Sequence, residues 1–184
     1  MKKTVLLSAT LLPLMTSSGM VYSVLPIYIW EELGASRVEV GGIFTLGAAV
    51  GLVTSYILGR IADRVGKKPL ILLAQCGFAF VMLSYSLIDD RSYAYFIQIF
   101  EGLSWTMLGV SAPALIADIT EKGERGEAMG IYNTSWSMGW VLGPITGGAL
   151  SEFYGFRFML RVSFVMLILG LISTYLVLRK IKEN

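Results

Sequence analysis

Six apolar stretches, each about as long as a bilayer core is thick, fill most of this chain. They fall near residues 4–30, 39–59, 69–88, 92–117, 128–150 and 158–178. A helix needs about 20 apolar residues to cross a hydrocarbon core. Runs such as LLSATLLPLM and FVMLILGLISTYLVL lack the alternation of a barrel strand, so helices are expected. A helix also satisfies its own backbone polar groups, which lipid cannot do. Only 15% of the 184 residues are charged, against about 25% in soluble domains. The predicted fold class is an all-α membrane protein of six transmembrane helices, forming a single lobe over residues 1–184.

The charges sit in short links. EELGASR, DDR and SEFYGFR fall on one side. The N-terminus, GRIADRVGKKP, DITEKGERGE and RKIKEN fall on the other. Eleven of the 15 Lys and Arg residues lie on that second side, so the positive-inside bias places both termini in the cytoplasm of a plasma-membrane protein. The basic start and apolar run at the N-terminus resemble a signal peptide, but no small-residue cleavage site follows, and a retained first helix is expected. Histidine is absent and Cys76 is the sole cysteine, which leaves no internal disulfide, Cys/His zinc site or histidine catalysis. Cys76 reads as a packing thiol. A net charge of +2 without interleaved aromatics gives no nucleic-acid surface. Neither an enzyme nor a cofactor is expected.

The chain repeats itself 89 residues on. Gly59-x-x-x-Asp63-x-x-Gly66-x-Lys68 returns as Gly148-x-x-x-Glu152-x-x-Gly155-x-Arg157, and Gly41 maps onto Gly130. The first copy ends helix two at the cytoplasm and the second ends helix five outside. This predicts two inverted three-helix repeats. Gly47, Gly51, Ser55 and Gly59 share one face of helix two, and Gly139, Gly143 and Gly147 one face of helix five, where small residues let helices approach closely.

Three passages resemble the major facilitator superfamily. GRIADRVGKKP is similar to its motif A, matching at Gly59, Asp63, Arg64, Gly66, Lys67 and Lys68. GIYNTSWSMGWVLGPITGG is similar to its antiporter signature, matching at Gly130, Gly139, Gly143, Pro144, Gly147 and Gly148. ALIADITEKGERGEAMG resembles the acidic residue and Arg-Gly pair between helices four and five, here Asp118 and Arg125-Gly126. The resemblance implies a drug or small-solute efflux antiporter working by alternating access, possessing a cytoplasmic latch. In that latch Asp63 would lie against a helix N-terminus of the other lobe, and the basic residues would bridge to Asp118. Pro144, which lacks a backbone donor, would kink helix five.

Glu101 is the one acidic residue deep in a predicted span. An intramembrane carboxyl is costly unless paired, neutralised or facing water, so it is read as a proton or cation site. Gln98, Glu101, Trp105 and Ala112 recur at roughly helical spacing and form a candidate cavity stripe. Asn133, Trp136 and Trp140 from helix five, and Thr16, Ser17 and Tyr22 from helix one, are further candidate lining. Gln98 stands where family antiporters carry the arginine of motif B, which bears on proton coupling. Arg161 is given no role beyond the outer interface.

The resemblance also implies a unit of twelve helices in two lobes, of which this chain supplies one. Its expected partners are the bilayer, a small-molecule substrate, and a second lobe or a second copy of itself. The alternative is a truncated or split lobe without transport of its own, acting only with a second lobe or as a membrane interaction partner.

Overall fold

The computed structural model describes residues 1–181. Six α-helices follow one another: α1 (Lys2–Glu31), α2 (Arg37–Val65), α3 (Lys67–Tyr85), α4 (Ser92–Asp118), α5 (Arg125–Tyr154) and α6 (Phe156–Leu178). A single 3₁₀ turn, Lys122–Glu124, precedes α5. No strand occurs among the described residues. Five of the helices are long and apolar enough to cross a membrane. The exception, α5, has 30 residues but carries Asn, Ser, Thr and Gly along its length, which dilute its apolarity.

Local chemistry sets the helix ends. Ser36 Oγ accepts from the Glu39 N–H, and Glu39 Oε2 accepts from the Ser36 N–H at 2.8 Å, a capping box that starts α2. Asp90 Oδ1 accepts from the Ser92 N–H at 2.7 Å at the start of α4. That bond holds the Asp90 carboxyl below its usual range. The α2–α3 turn is a single residue, Gly66, at φ 100 and ψ 154. GRIADRVGKKP is therefore not an open hairpin. The second helix runs on through Asp63 and Arg64 to Val65, beyond the expected end at residue 59.

The packing follows the repeat. α5 packs chiefly on α1, and α2 chiefly on α4; α3 packs on α4, and α6 on α1; α3 and α6 pack on each other. Exchanging α1–α3 for α4–α6 leaves this pattern unchanged, as expected of inverted three-helix repeats. The core lies along α1, α3 and α4, where Leu11, Met15, Leu25, Ile71, Phe78 and Leu115 are buried. Leu52, Val53 and Tyr56 of α2, and Val141 and Ile145 of α5, lie on the surface. Cys76 is exposed on α3, so it is not the packing thiol its apolar neighbours predicted.

Small residues make the closest helix contacts. A methyl group on Gly139 would come within 2.5 Å of the Met15 backbone, on Gly143 within 2.6 Å of Gly19, and on Gly147 within 2.3 Å of the Met20 carbonyl. These three glycines carry the α1–α5 seam, and α5 continues helically through Pro144. On the other side, Gly47 and Gly102 bring α2 against α4. The stripe on α2 does not stay packed along its length. Gly59 has open space around it, and so do Gly41, Gly130 and Gly148.

Buried polar side chains cross-link the helices. Gln75 donates to Thr174 Oγ1 at 2.9 Å, and Thr174 donates to the Thr10 carbonyl at 3.3 Å. The Ser17 and Ser163 hydroxyls are hydrogen-bonded. Ser17 therefore serves the α1–α6 contact and not the cavity wall expected for it. Each such bond contributes about 0.6 kcal/mol within a membrane.

Candidate transport cavity

A cavity of about 260 Å³ opens between α1, α2 and α4. Tyr22 comes from α1. Phe44, Gly47, Ala48 and Gly51 come from α2. Gln98, Glu101, Gly102, Trp105 and Thr106 come from α4. Residues 98, 101, 102 and 105 share one face of α4 because the helix repeats every 3.6 residues. Glycines at 47, 51 and 102 leave room where α2 crosses α4.

Glu101 is 1% exposed, and neither of its carboxylate oxygens has a hydrogen-bond partner. Gln98 sits one turn away. Its Oε1 accepts from the Tyr85 hydroxyl at 2.9 Å, so the position where the family carries an arginine is tied instead to α3. The Trp105 indole N–H donates to the Tyr22 hydroxyl, which links α4 to α1. Aromatic rings continue outward from there: Trp105 to Phe78 at 4.8 Å, Trp105 to Trp136 at 5.5 Å, and Tyr22 to Trp140 at 6.4 Å.

The structure thus brings Tyr22, Gln98, Glu101 and Trp105 together, with Trp136 and Trp140 behind them. It does not bring in Asn133, which is exposed on α5, or Ala112, which is buried outside the lining. Thr16 is half-buried, and its backbone faces Gly139. Phe44 and Thr106 were missed by the sequence reading. Thr106 follows Gly102 by four residues, and that helical spacing from the 98–102 stripe was the available signal.

The charged turn lies at the end of the lobe where α2, α3 and α4 meet. Lys67 Nζ is 3.2 Å from Asp118 Oδ2 and 3.7 Å from Asp63 Oδ1. Lys68 Nζ donates to the Ile181 carbonyl. Asp63 itself is mostly exposed, and Arg64 and Arg125 lie on the surface. At the opposite end, Arg157 joins Asp89 at 2.6 Å and Glu32 at 3.3 Å, while Arg91 joins Glu39 at 2.8 Å. Arg161 is exposed nearby on α6.

An all-helical lobe of two inverted three-helix units, with a largely apolar cavity that holds one buried carboxyl, has the architecture of a secondary-transporter half. The chain belongs to the Major Facilitator Superfamily, whose sequence profile matches residues 7–184. It is 29% identical over 170 residues to an uncharacterized MFS-type transporter of Methanocaldococcus jannaschii, covering 92% of this chain and 44% of that protein. It is 28% identical over 162 residues to Multidrug resistance protein 2 of Bacillus subtilis, covering 88% and 40%. It is 28% identical over 167 residues to Multidrug resistance protein MdtG of Salmonella choleraesuis, covering 88% and 41%. The chain spans about two fifths of the length of these relatives. The first is a transporter by name, the other two are named for multidrug resistance, and the chain is an integral membrane protein of a transporter family.

Proposed function

We propose that residues 1–184 form one six-helix lobe of a secondary transporter that exports a small apolar or cationic solute by alternating access. The lobe works with a second six-helix lobe or with a second copy of itself, and both termini face the cytoplasm. The resemblance to multidrug resistance proteins supports efflux. The size of the cavity supports a second lobe: about 260 Å³ falls short of the roughly 300–1,000 Å³ of drug-sized sites.

The observation that carries the reading is Glu101, enclosed at the cavity wall with both oxygens unpartnered. Holding an unpaired buried carboxylate in its ionised form is costly. A proton that neutralises it while the cavity is closed, and leaves when water enters, couples proton movement to access. Tyr22, Trp105, Trp136 and Gln98 supply aromatic faces and a polar edge for the solute. Gly59, Asp63, Arg64, Gly66, Lys67, Lys68, Asp118 and Arg125 act as the cytoplasmic latch. Lys67 holds Asp118 within the lobe, while the exposed Asp63 is available to the second lobe. Gly130 and Gly148 lie on open faces that suit the same contact. Gly139, Gly143, Pro144 and Gly147 form the tight seam behind it.

The test is solute-driven proton flux in proteoliposomes holding the complete assembly. Glu101→Gln keeps the shape and removes the proton site, so flux should vanish while solute binding persists. Wild-type flux in that variant would refute the Glu101 role. The native mass of the protein released from membranes decides its assembly. A species of twice the 20.2 kDa chain means a homodimer. A heavier hetero-complex means a separate second lobe. A lone 20.2 kDa chain without flux favours the reading as a lobe that does not transport by itself.

A further inference from the structure

The exposed face of α5 repeats the exposed face of α2. Leu52, Tyr56, Gly59 and Asp63 follow one another along α2 at helical spacing, and Val141, Ile145, Gly148 and Glu152 stand 89 positions on along α5. Leu52, Tyr56, Val141 and Ile145 are all exposed. Gly59 and Gly148 both meet open space. Asp63 and Glu152 are both exposed, each three residues before a turn glycine.

The two ends of the lobe are also tied alike. Lys68, the second residue of α3, donates to the Ile181 carbonyl, three residues past the end of α6. Arg157, the second residue of α6, donates to the Ile88 carbonyl at 3.0 Å, three residues past the end of α3. The cross-link is the same with α3 and α6 exchanged. One position differs. Lys67 lies 3.7 Å from Asp63, whereas its counterpart Phe156 packs on Tyr28, with ring centres 5.7 Å apart. The residue one turn beyond Glu152 is therefore aromatic and not a cation.

We infer that Glu152 is the outer counterpart of the latch carboxylate Asp63. It engages the outer end of the second six-helix lobe when the path is closed outside, as Asp63 engages the cytoplasmic end when the path is closed inside. The inference rests on the cytoplasmic latch proposed above and takes the same partner. The chain covers 44% and 40% of two of its relatives, which leaves length in each for such a lobe. A carboxylate that meets a helix N-terminus in one state only stabilises that state, so the two residues bias alternating access in opposite directions.

The experiment reads the balance of the two open states in the complete assembly, in membrane vesicles. Cys76→Ser removes the native thiol, and Ala48→Cys places a reporter in the Glu101 chamber. A membrane-impermeant maleimide is applied to right-side-out and to inside-out vesicles. The ratio of the labelling rates, outside over inside, follows the ratio of outward-open to inward-open protein. Glu152→Gln should raise that ratio about two- to fivefold, the effect of a carboxylate at a helix N-terminus. Asp63→Asn should lower it by the same factor, and the double variant should return it to the wild-type value. A ratio unchanged or lowered in Glu152→Gln, with Asp63→Asn effective, would overturn the outer latch and leave the cytoplasmic latch standing. A ratio unchanged in both variants would overturn both.

Discussion

Gly66 and Gly155, 89 positions apart, adopt nearly the same backbone conformation, at φ 100, ψ 154 and φ 85, ψ 158. Each ends the second helix of its repeat and starts the third with no other residue between them. This region of backbone space is essentially restricted to glycine. The two turns lie at opposite ends of the lobe, as inversion of the repeat requires.

Replacing either glycine should therefore strain the turn. Gly66→Ala and Gly155→Ala should each cost about 1–3 kcal/mol. Thermal unfolding in detergent measures this. Gly34, at φ 66, is in the left-handed helical region, which side chains tolerate at about 1–2 kcal/mol, so Gly34→Ala should cost no more than the other two. A larger loss at Gly34 would contradict the strain argument.

The glycines of α5 should divide into two groups. Gly143→Ala and Gly147→Ala put a methyl group within 2.6 Å of backbone atoms of α1, and overpacking of this kind costs about 1–3 kcal/mol. Gly130→Ala and Gly148→Ala meet nothing within 4 Å and should leave stability unchanged or slightly raised. Thermal melts of the four variants settle the division. A stable Gly148→Ala protein with impaired transport would place that face against the second lobe.

The Tyr85–Gln98 bond should be worth more than a surface contact, because both residues are buried. Gln98→Ala leaves the Tyr85 hydroxyl with only the Ala94 carbonyl, at 3.5 Å. Stranding a buried donor in this way costs about 1–3 kcal/mol. A double-mutant cycle with Tyr85→Phe should return coupling of about 1 kcal/mol. Additive effects would mean the bond contributes nothing.

Arg157 bridges Asp89 and Glu32 and also donates to the Ile88 carbonyl at 3.0 Å. Three chain segments meet at this one guanidinium. Its ion pairs are partly exposed, so Arg157→Gln should cost only about 1 kcal/mol per pair at most. The effect should shrink in 1 M salt, where screening acts over about 3 Å. Unfolding at low and high salt checks both statements, and a salt-independent loss would point to the Ile88 hydrogen bond instead.

Much of the architecture was legible in the apolar windows, and the charged turn and glycine pattern marked the repeat. The end of α2 was not. The charges of GRIADRVGKKP read as a loop, but lysine, arginine and aspartate do not stop a helix, and only Gly66 does. Cys76, Ser17 and Asn133 were misplaced for a different reason. Cys76 and Ser17 lie on strongly apolar helices, and Asn133 lies on one where small and polar residues are scattered along its length, so in neither case does spacing carry a sign of which face turns inward.

By itself, the sequence determined the number of helices, their order, the inverted repeat and the isolation of Glu101 in a span. These follow from segment length, hydropathy and spacing, which are properties of the chain alone. The tertiary structure decided which faces meet. It set Gly143 against Gly19, Ser17 against Ser163, Lys67 against Asp118, and Glu101 into a chamber with Tyr22 and Trp105. In water the hydrophobic effect marks the inner face of a helix in its sequence. In lipid both faces are apolar, and helices choose partners by close packing and a few polar contacts that exist only once they are assembled.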